Sequence, residues 1–296
     1  MPELPEVETM RRGIAGMVGS RITAACFPRE TRRPIAMHPT AGVMRRRLVG
    51  RTISAVHRFG KRVAIELGAT DGRSAAWLII EPRMTGLLLL VPPPTSEHVR
   101  MELAYDRGGQ GGAVAHGRLV FWDRRGLGTI RLVDRRGLSA ACGPDRLGPD
   151  GLVVSGADLA HRAGGSRRAV KVALLDQRLV AGIGNIYAAE ILFRAGIDPR
   201  AACRRLTAEA WERIAGEARR VLAEAVRLEG STIGDETYRT ADNRSGRFQR
   251  RHRVYGRARQ PCRTCRGAVE RIVQAQRSTF FCPHCQWQPG RLRRTL

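Results

Sequence analysis

Apolar residues Val7, Met10, Ile14, Met17 and Val18 recur at helical spacing, with Pro5 in the first turn and Gly19 as a stop, and predict a short amphipathic helix over residues 5–18. The period then changes. In residues 61–67, Val63, Ile65 and Leu67 alternate with Arg62, Ala64 and Glu66, the repeat of two expected of a half-buried strand. Further strands are expected near 52–59, 75–80, 85–91, 99–105, 118–122 and 128–133, separated by turn-forming residues. So many short strands in succession imply an antiparallel sandwich. Between two of them, Gly108-Gly109-Gln110-Gly111-Gly112 reads as a loose hairpin tip, a tolerated insertion with no assigned function.

A Gly- and Pro-rich stretch over 143–165, including Leu147-Gly148-Pro149-Asp150, separates these strands from a region of helical periodicity and marks a domain boundary. Helices are expected over 168–177, 186–195 and 207–229. The last is capped by Thr207, striped with Trp211, Ile214, Ala218, Val221, Leu222 and Ala225, and stopped by Gly230. That stripe is core. Beyond it the composition shifts, with Arg244, Arg247, Arg250, Arg251, Arg253, Arg257 and Arg259 crowded into one Gly- and Ser-containing segment. No internal repeat is evident.

A chain of 296 residues suffices for about two domains, and 43% hydrophobic with 27% charged residues excludes disorder throughout. The charge narrows the function further. Against 27 acidic residues stand 52 Lys and Arg, mostly Arg, giving +25 and a pI near 11.5. Such an excess points to a polyanionic partner, and to nucleic acid first, because guanidinium groups make bidentate contacts to phosphate and guanine. A GC-rich genome favouring Arg is the alternative source of the excess. The aliphatic stretches around 77–80 and 87–91 fall far short of the ~20 residues that cross a bilayer. The start, Met-Pro-Glu-Leu-Pro-Glu-Val-Glu, is acidic and unlike a secretion signal, so a cytoplasmic, nucleoid-associated location without signal peptide is expected.

Of seven cysteines, Cys26, Cys142 and Cys203 stand alone, while Cys262-x2-Cys265 and Cys282-x2-Cys285 form two tight pairs. Paired grips at ribbon spacing predict one structural zinc ion held by four thiolates, with no open coordination position for water. The turn Gly182-Ile183-Gly184-Asn185 lets backbone amides approach a phosphate closely, or it is plain interhelical geometry. At the N-terminus, removal of Met1 would expose Pro2 as a secondary amine able to condense with a sugar aldehyde carbon. Glu3 is placed beside it to move protons. The same residues would also serve simply to start a helix and complement its dipole.

Taken in order, Pro2-Glu3-Leu4-Pro5-Glu6-Val7-Glu8, Lys61, Met84-Thr85-Gly86, Leu147-Gly148-Pro149-Asp150, Gly182-Ile183-Gly184-Asn185-Ile186-Tyr187-Ala188, Val254-Tyr255-Gly256-Arg257 and the four-cysteine finger with Gln276-Arg277 resemble the formamidopyrimidine-DNA glycosylase (Fpg/Nei) family. The resemblance covers nearly the whole chain. It implies an α+β fold: an N-terminal helix with a two-layer antiparallel β-sandwich (residues 1–142), a helix-two-turn-helix DNA-binding domain (143–240), and the remaining lesion loop with a C-terminal zinc finger (241–296). DNA would lie in the cleft between the domains.

The activity so implied is base-excision repair by a DNA glycosylase that is also an abasic-site lyase. Pro2 would attack the anomeric carbon of a nucleotide turned out of the duplex, with Glu3 assisting proton transfer; Lys61 and Arg277 would be charged contacts linked to the lyase steps. Lys171, Asn185 and Arg277 match positions that grip the DNA backbone, His98 falls at a further contact, and Arg167 is close enough to replace the contact of a family lysine that is Ser166 here. Met84, Arg125 and Leu127 match the three residues that fill the gap left by the extruded base.

The sequence departs from the family at Leu127, where phenylalanine is usual, at Ser96 in Ser96-Glu97-His98-Val99, and at Ser166, where a lysine is common. Leu4 points to the branch acting on oxidised purines, 8-oxoguanine and formamidopyrimidines. The segment 231–251 occupies the place of the lesion-recognition loop. The implied partner is double-stranded DNA carrying an oxidised base or an abasic site, bound by a monomer with one zinc and no organic cofactor. A member preferring oxidised pyrimidines or abasic sites, or a catalytically idle DNA-binding protein, is the alternative.

Overall fold

The first helix, α1 (Leu4–Gly13), carries the predicted apolar stripe, but the chain then tightens into a 3-10 turn at Ala15–Met17 instead of continuing to residue 18. Glycines at 13 and 16 weaken helix propensity there. A Cβ on Gly13 would stand 2.5 Å from the Cβ of Ala241, so this close approach requires glycine. Ile14 and Met17 are buried all the same. The computed structural model describes residues 2–28, 33–69, 74–108, 114–233 and 238–286. Met1, the 109–112 part of the glycine run and residues 234–237 of the expected lesion loop lie outside them.

Two sheets follow. One contains β1 (Arg21–Cys26), β6 (Gly86–Leu89), β7 (Val99–Gly108) and β8 (Val114–Asp123), antiparallel in the order β1-β7-β8-β6. The other contains β2 (Ala36–His38), β3 (Ile53–Phe59), β4 (Arg62–Leu67), β5 (Ala76–Glu81) and β9 (Thr129–Val133), in the order β2-β9-β5-β4-β3, with only β2 parallel to its neighbour. Central β5 buries Ala76, Trp77, Leu78, Ile79 and Ile80, which is why it reads as an unbroken apolar run. Strand β1 escaped the sequence reading because a bulge between Ile22 and Ala24 breaks its alternation. Two short helices, α2 (Ala41–Leu48) and α3 (Arg135–Cys142), were also not anticipated.

Helix α1 packs against β3, β4 and β6, and Val7 and Met10 join the sheet residues in one core. The chain divides into two compact units, Met1–Gly143 with Leu228–Arg247, and Pro144–Arg227 with Phe248–Leu296. Residues 228–247 therefore go with the first unit, whereas the sequence reading split them between the helical domain and the finger. The reason is burial: Tyr238 and Ala241 belong to the first core, and the Ala241 carbonyl accepts the Leu90 N–H at 3.0 Å.

In the second unit, α4 (Gly156–Ala163) lies inside the stretch read as a linker. Its signal was a capping box: Asp158 N–H donates to Ser155 Oγ at 3.1 Å, and Ser155 N–H to the Asp158 carboxylate at 3.0 Å. Helix α5 (Val170–Leu174) is shorter than its expected span, α6 (Asn185–Ala195) ends at Gly196 with φ +70, and α7 (Ala208–Arg227) packs its stripe on α4 and α6. A hairpin of β10 (Glu270–Gln274) and β11 (Arg277–Phe281) packs on α6. Among the described residues no helix is long and apolar enough to cross a membrane.

Candidate active site and nucleic-acid interface

Pro2 and Glu3 stand at the head of α1, both buried, Glu3 with 1% exposure. The Glu6 carboxylate holds this end of the chain, accepting the Glu3 N–H at 2.9 Å through Oε2 and the Ser231 N–H at 2.7 Å through Oε1. Gly230 makes room for it: with φ +76, a Cβ there would meet Glu6 Oε1 at 2.7 Å. One carboxylate thus ties the candidate nucleophile's segment to the first residue of the expected lesion loop. Burial, with the Glu6 charge beside it, pushes the Tyr238 phenol well above its ordinary pKa, so it stays neutral.

Two residues further along α1, Glu8 receives three guanidiniums, Arg11 at 2.9 Å, Arg12 at 2.8 Å and Arg58 at 3.0 Å. Burial alone would raise the Glu8 carboxyl, but these donors outweigh it and hold the pKa below its ordinary value. Lys61 lies in the two-residue connection of β3 to β4, where Phe59 pairs with Arg62 and Gly60 takes φ +56. A positive φ at the first turn position calls for glycine, as in a type II′ hairpin.

A second group gathers where β6 and β8 pair, Gly86 opposite Asp123. Thr85 Oγ1 bonds the Asp123 carboxylate and accepts the Arg125 N–H at 2.9 Å, while Gly128 N–H donates to Asp123 Oδ2 at 2.8 Å. Buried Arg100 adds two bonds to the Asp123 carbonyl, at 3.0 and 2.9 Å. These contacts fix the Met84 turn against the loop bearing Arg125 and Leu127. Both loop side chains project into solvent, Leu127 at 47% exposure. His98 stacks edge-on to Trp122 at 5.5 Å, and its carbonyl accepts the Asp123 N–H, so it joins this group.

In the second unit, fully buried Lys171 donates from Nζ to Asn185 Oδ1 at 2.6 Å, and Asn185 Nδ2 donates to the Ser278 carbonyl at 3.0 Å. Helix α5, the head of α6 and the finger hairpin are thereby joined, with Arg277 exposed beside Ser278. Arg167 is exposed on the approach to α5, and Ser166 Oγ accepts from the Arg168 backbone at 3.2 Å.

Two residues that sequence reasoning missed complete the frame. Gln177 pins the glycine turn, accepting the Gly182 N–H at 2.8 Å and donating to the Ile183 carbonyl at 3.0 Å. Glu190, fully buried on α6, accepts the N–H groups of Arg253, Val254 and Tyr255 at 2.8, 3.0 and 2.8 Å. Burial pushes its carboxyl upward against those three donors. Each donor left unpaired would cost about 1–3 kcal/mol, so Glu190 is a strong pin for the finger's approach. Its signal was a lone acid within an otherwise apolar helix.

Cys262, Cys265, Cys282 and Cys285 bring their sulfurs within 4.8 Å of one another. Thiolates around zinc, with Zn–S about 2.3 Å, stand about 3.8 Å apart in a tetrahedron. The Cys262–Cys285 and Cys265–Cys282 separations, 3.8 and 3.4 Å, suit that geometry, and Thr264 N–H donates to the Cys262 sulfur. The donor set fits a structural zinc. Such an ion would hold the hairpin that carries Arg277.

Comparison with known proteins agrees with this geometry. Three family profiles match: the formamidopyrimidine-DNA glycosylase N-terminal domain over residues 1–130, the formamidopyrimidine-DNA glycosylase H2TH domain over 147–237, and the zinc finger found in FPG and IleRS over 259–286. A formamidopyrimidine-DNA glycosylase of Solibacter usitatus is 39% identical over 286 residues, covering 97% of this chain and 99% of the relative. The crystal structure of MutM (Fpg) from Thermus thermophilus matches with TM-score 0.80 at 38% identity, over 97% of this chain and 99% of that one. A Lactococcus lactis Fpg mutant in complex with Fapy-dG-containing DNA matches with TM-score 0.82 at 29% identity, over 97% and 100%. With all three profiles found in order, and relatives aligned almost end to end, the chain belongs to the formamidopyrimidine-DNA glycosylase family.

Proposed function

We propose that this protein is a base-excision repair enzyme that removes oxidised purines, 8-oxoguanine and formamidopyrimidines, from duplex DNA and then cuts the abasic strand. The observation that carries this reading is the placement of Pro2 and Glu3 at the head of α1, held by Glu6, with α1 packed on the two strands that Lys61 joins. Once Met1 is removed, the Pro2 amine attacks C1′ of the extruded nucleotide, and the glycosidic bond breaks as the base leaves with a proton. Glu3 passes a proton to O4′, the sugar ring opens, and an iminium forms on Pro2. Lys61 moves protons during these steps, because an ammonium can give one up whereas a guanidinium stays charged. The iminium acidifies the C2′ proton, whose loss expels the 3′ phosphate; loss of the C4′ proton then expels the 5′ phosphate, and water releases Pro2.

Asn185 and the exposed Arg167 and Arg277 hold phosphates, with buried Lys171 orienting Asn185 from behind; His98 makes a further DNA contact, and Met84, Arg125 and Leu127 fill the vacated stack. Leucine lacks an aromatic face, so the wedge works by apolar contact rather than by stacking. The substrate class rests on Leu4 in the N-terminal motif and agrees with the Fapy-dG bound in one Lactococcus complex, while another complex of the Lactococcus protein holds DNA with an oxidised pyrimidine. Excision rates on matched duplexes carrying 8-oxoguanine, a formamidopyrimidine, an oxidised pyrimidine or an abasic site test it. The two purine lesions are expected to be excised fastest. Faster excision of the pyrimidine would move the protein to the other branch, and no processing of any duplex would leave an idle DNA-binding protein.

A further inference from the structure

We infer that Arg58, held by Glu8, is a positioning residue that sets the geometry of Lys61; the inference rests on the proton-transfer role proposed for Lys61. Arg58 lies on β3, two residues before the Gly60-Lys61 turn. Its Nε donates to Glu8 Oε2 at 3.0 Å, and its Nη1 donates to the Gly60 carbonyl at 3.2 Å. Both side chains of this ion pair are only 9% exposed. The Gly60 carbonyl belongs to the peptide that leads into Lys61, so anchoring it fixes the plane from which the Lys61 backbone departs. Gly60, at φ +56, has no side chain to hold that peptide itself.

The far side of Lys61 is anchored too. Arg62 donates to Glu81 Oε2 at 3.1 Å and to the Ala141 carbonyl at 2.9 Å. The Arg58 arm differs in where it leads, for Glu8 lies on α1, whose head carries Pro2 and Glu3. One guanidinium therefore references the Lys61 turn to the helix that presents the nucleophile. A lysine at 58 would keep the charge and lose the fork: an ammonium is a single point donor on a flexible stem, and cannot hold carboxylate and carbonyl in fixed relation as a planar guanidinium does. Glu8 suits the part because the Arg11 and Arg12 guanidiniums keep it ionised and oriented from the other side.

Misplacing a reacting group by about 1 Å can cost up to about 100-fold in rate. The test is a double-mutant cycle on the full-length, zinc-loaded protein, with single-turnover excision of 8-oxoguanine and nicking of a preformed abasic duplex measured for Arg58→Lys, Lys61→Ala and the double variant. Arg58→Lys is expected to slow excision about tenfold, to slow nicking far less, and to leave duplex affinity within about twofold. In the Lys61→Ala background the same change should add nothing. A Glu8→Gln variant, which keeps an acceptor but loses the charge, should show the same pattern in weaker form.

Equal loss of excision and nicking, or an additive loss on top of Lys61→Ala, would assign Arg58 a merely structural part and overturn the inference. So would unimpaired excision by Arg58→Lys when Lys61→Ala is slow. If Lys61→Ala itself excises at the wild-type rate, the role of Lys61 fails and the inference fails with it. Thermal melting of each variant separates unfolding from mispositioning; should Arg58→Lys not fold, Glu8→Gln carries the same comparison.

Discussion

Lys61 and Lys171 are the only lysines among the 52 basic residues; the other fifty are arginines. The two positions that keep an ammonium lie in the turn beside α1 and in the buried contact with Asn185. On the role proposed for Lys61, the useful difference is a proton that can leave. Lys61→Arg is therefore expected to lower base excision by roughly 100-fold or more, the usual worth of a general acid or base, with duplex affinity within about twofold. Rapid-quench excision assays beside a binding titration check this, and excision at the wild-type rate would reduce Lys61 to a charge. At this scale the sequence singles out residues whose chemistry is distinctive, Pro2 and Glu3, which the fold buries at the head of α1, and the paired cysteines, which it brings together. It hid Glu6, Glu8, Gln177 and Glu190 as site-builders, because what they do depends on partners that only the fold supplies, such as Ser231 for Glu6 and Tyr255 for Glu190.

Among the elements, those with a clean period were legible and those without were not. The α7 stripe and the alternation of β4 read directly, whereas β1 was concealed by its bulge and α4 by the glycines around its capping box. The finger hairpin was predicted from cysteine spacing alone, and its cysteines do converge. The core around it is small: Val254, Cys262, Val269 and Cys282 pack with Ala189 and Phe193 of α6, and Tyr255, Phe280 and Cys285 stand at the edge. A four-thiolate site on so small a core is expected to depend on its metal for folding. Removing zinc with a chelator is expected to unfold β10 and β11, exposing their amides to hydrogen exchange, and to abolish specific DNA binding while the β-sandwich stays protected. Full binding by a protein verified as zinc-free would contradict this.

For the whole molecule, a net charge of +25 supplies a non-specific attraction to DNA that releases counterions and weakens as salt rises. Such attraction would serve an idle DNA-binding protein equally well, so the charge cannot distinguish a repair enzyme from a passive one. What would distinguish them is a covalent bond between the Pro2 nitrogen and the sugar. Borohydride reduction during reaction with an 8-oxoguanine duplex, wild type beside Pro2→Gly, followed by peptide mass mapping, looks for that bond directly. A stable adduct is expected on the N-terminal peptide, attached at Pro2 after loss of Met1. A folded, zinc-loaded protein with a free Pro2 amine that gives no adduct, on this duplex or on an abasic one, would contradict the mechanism proposed for Pro2.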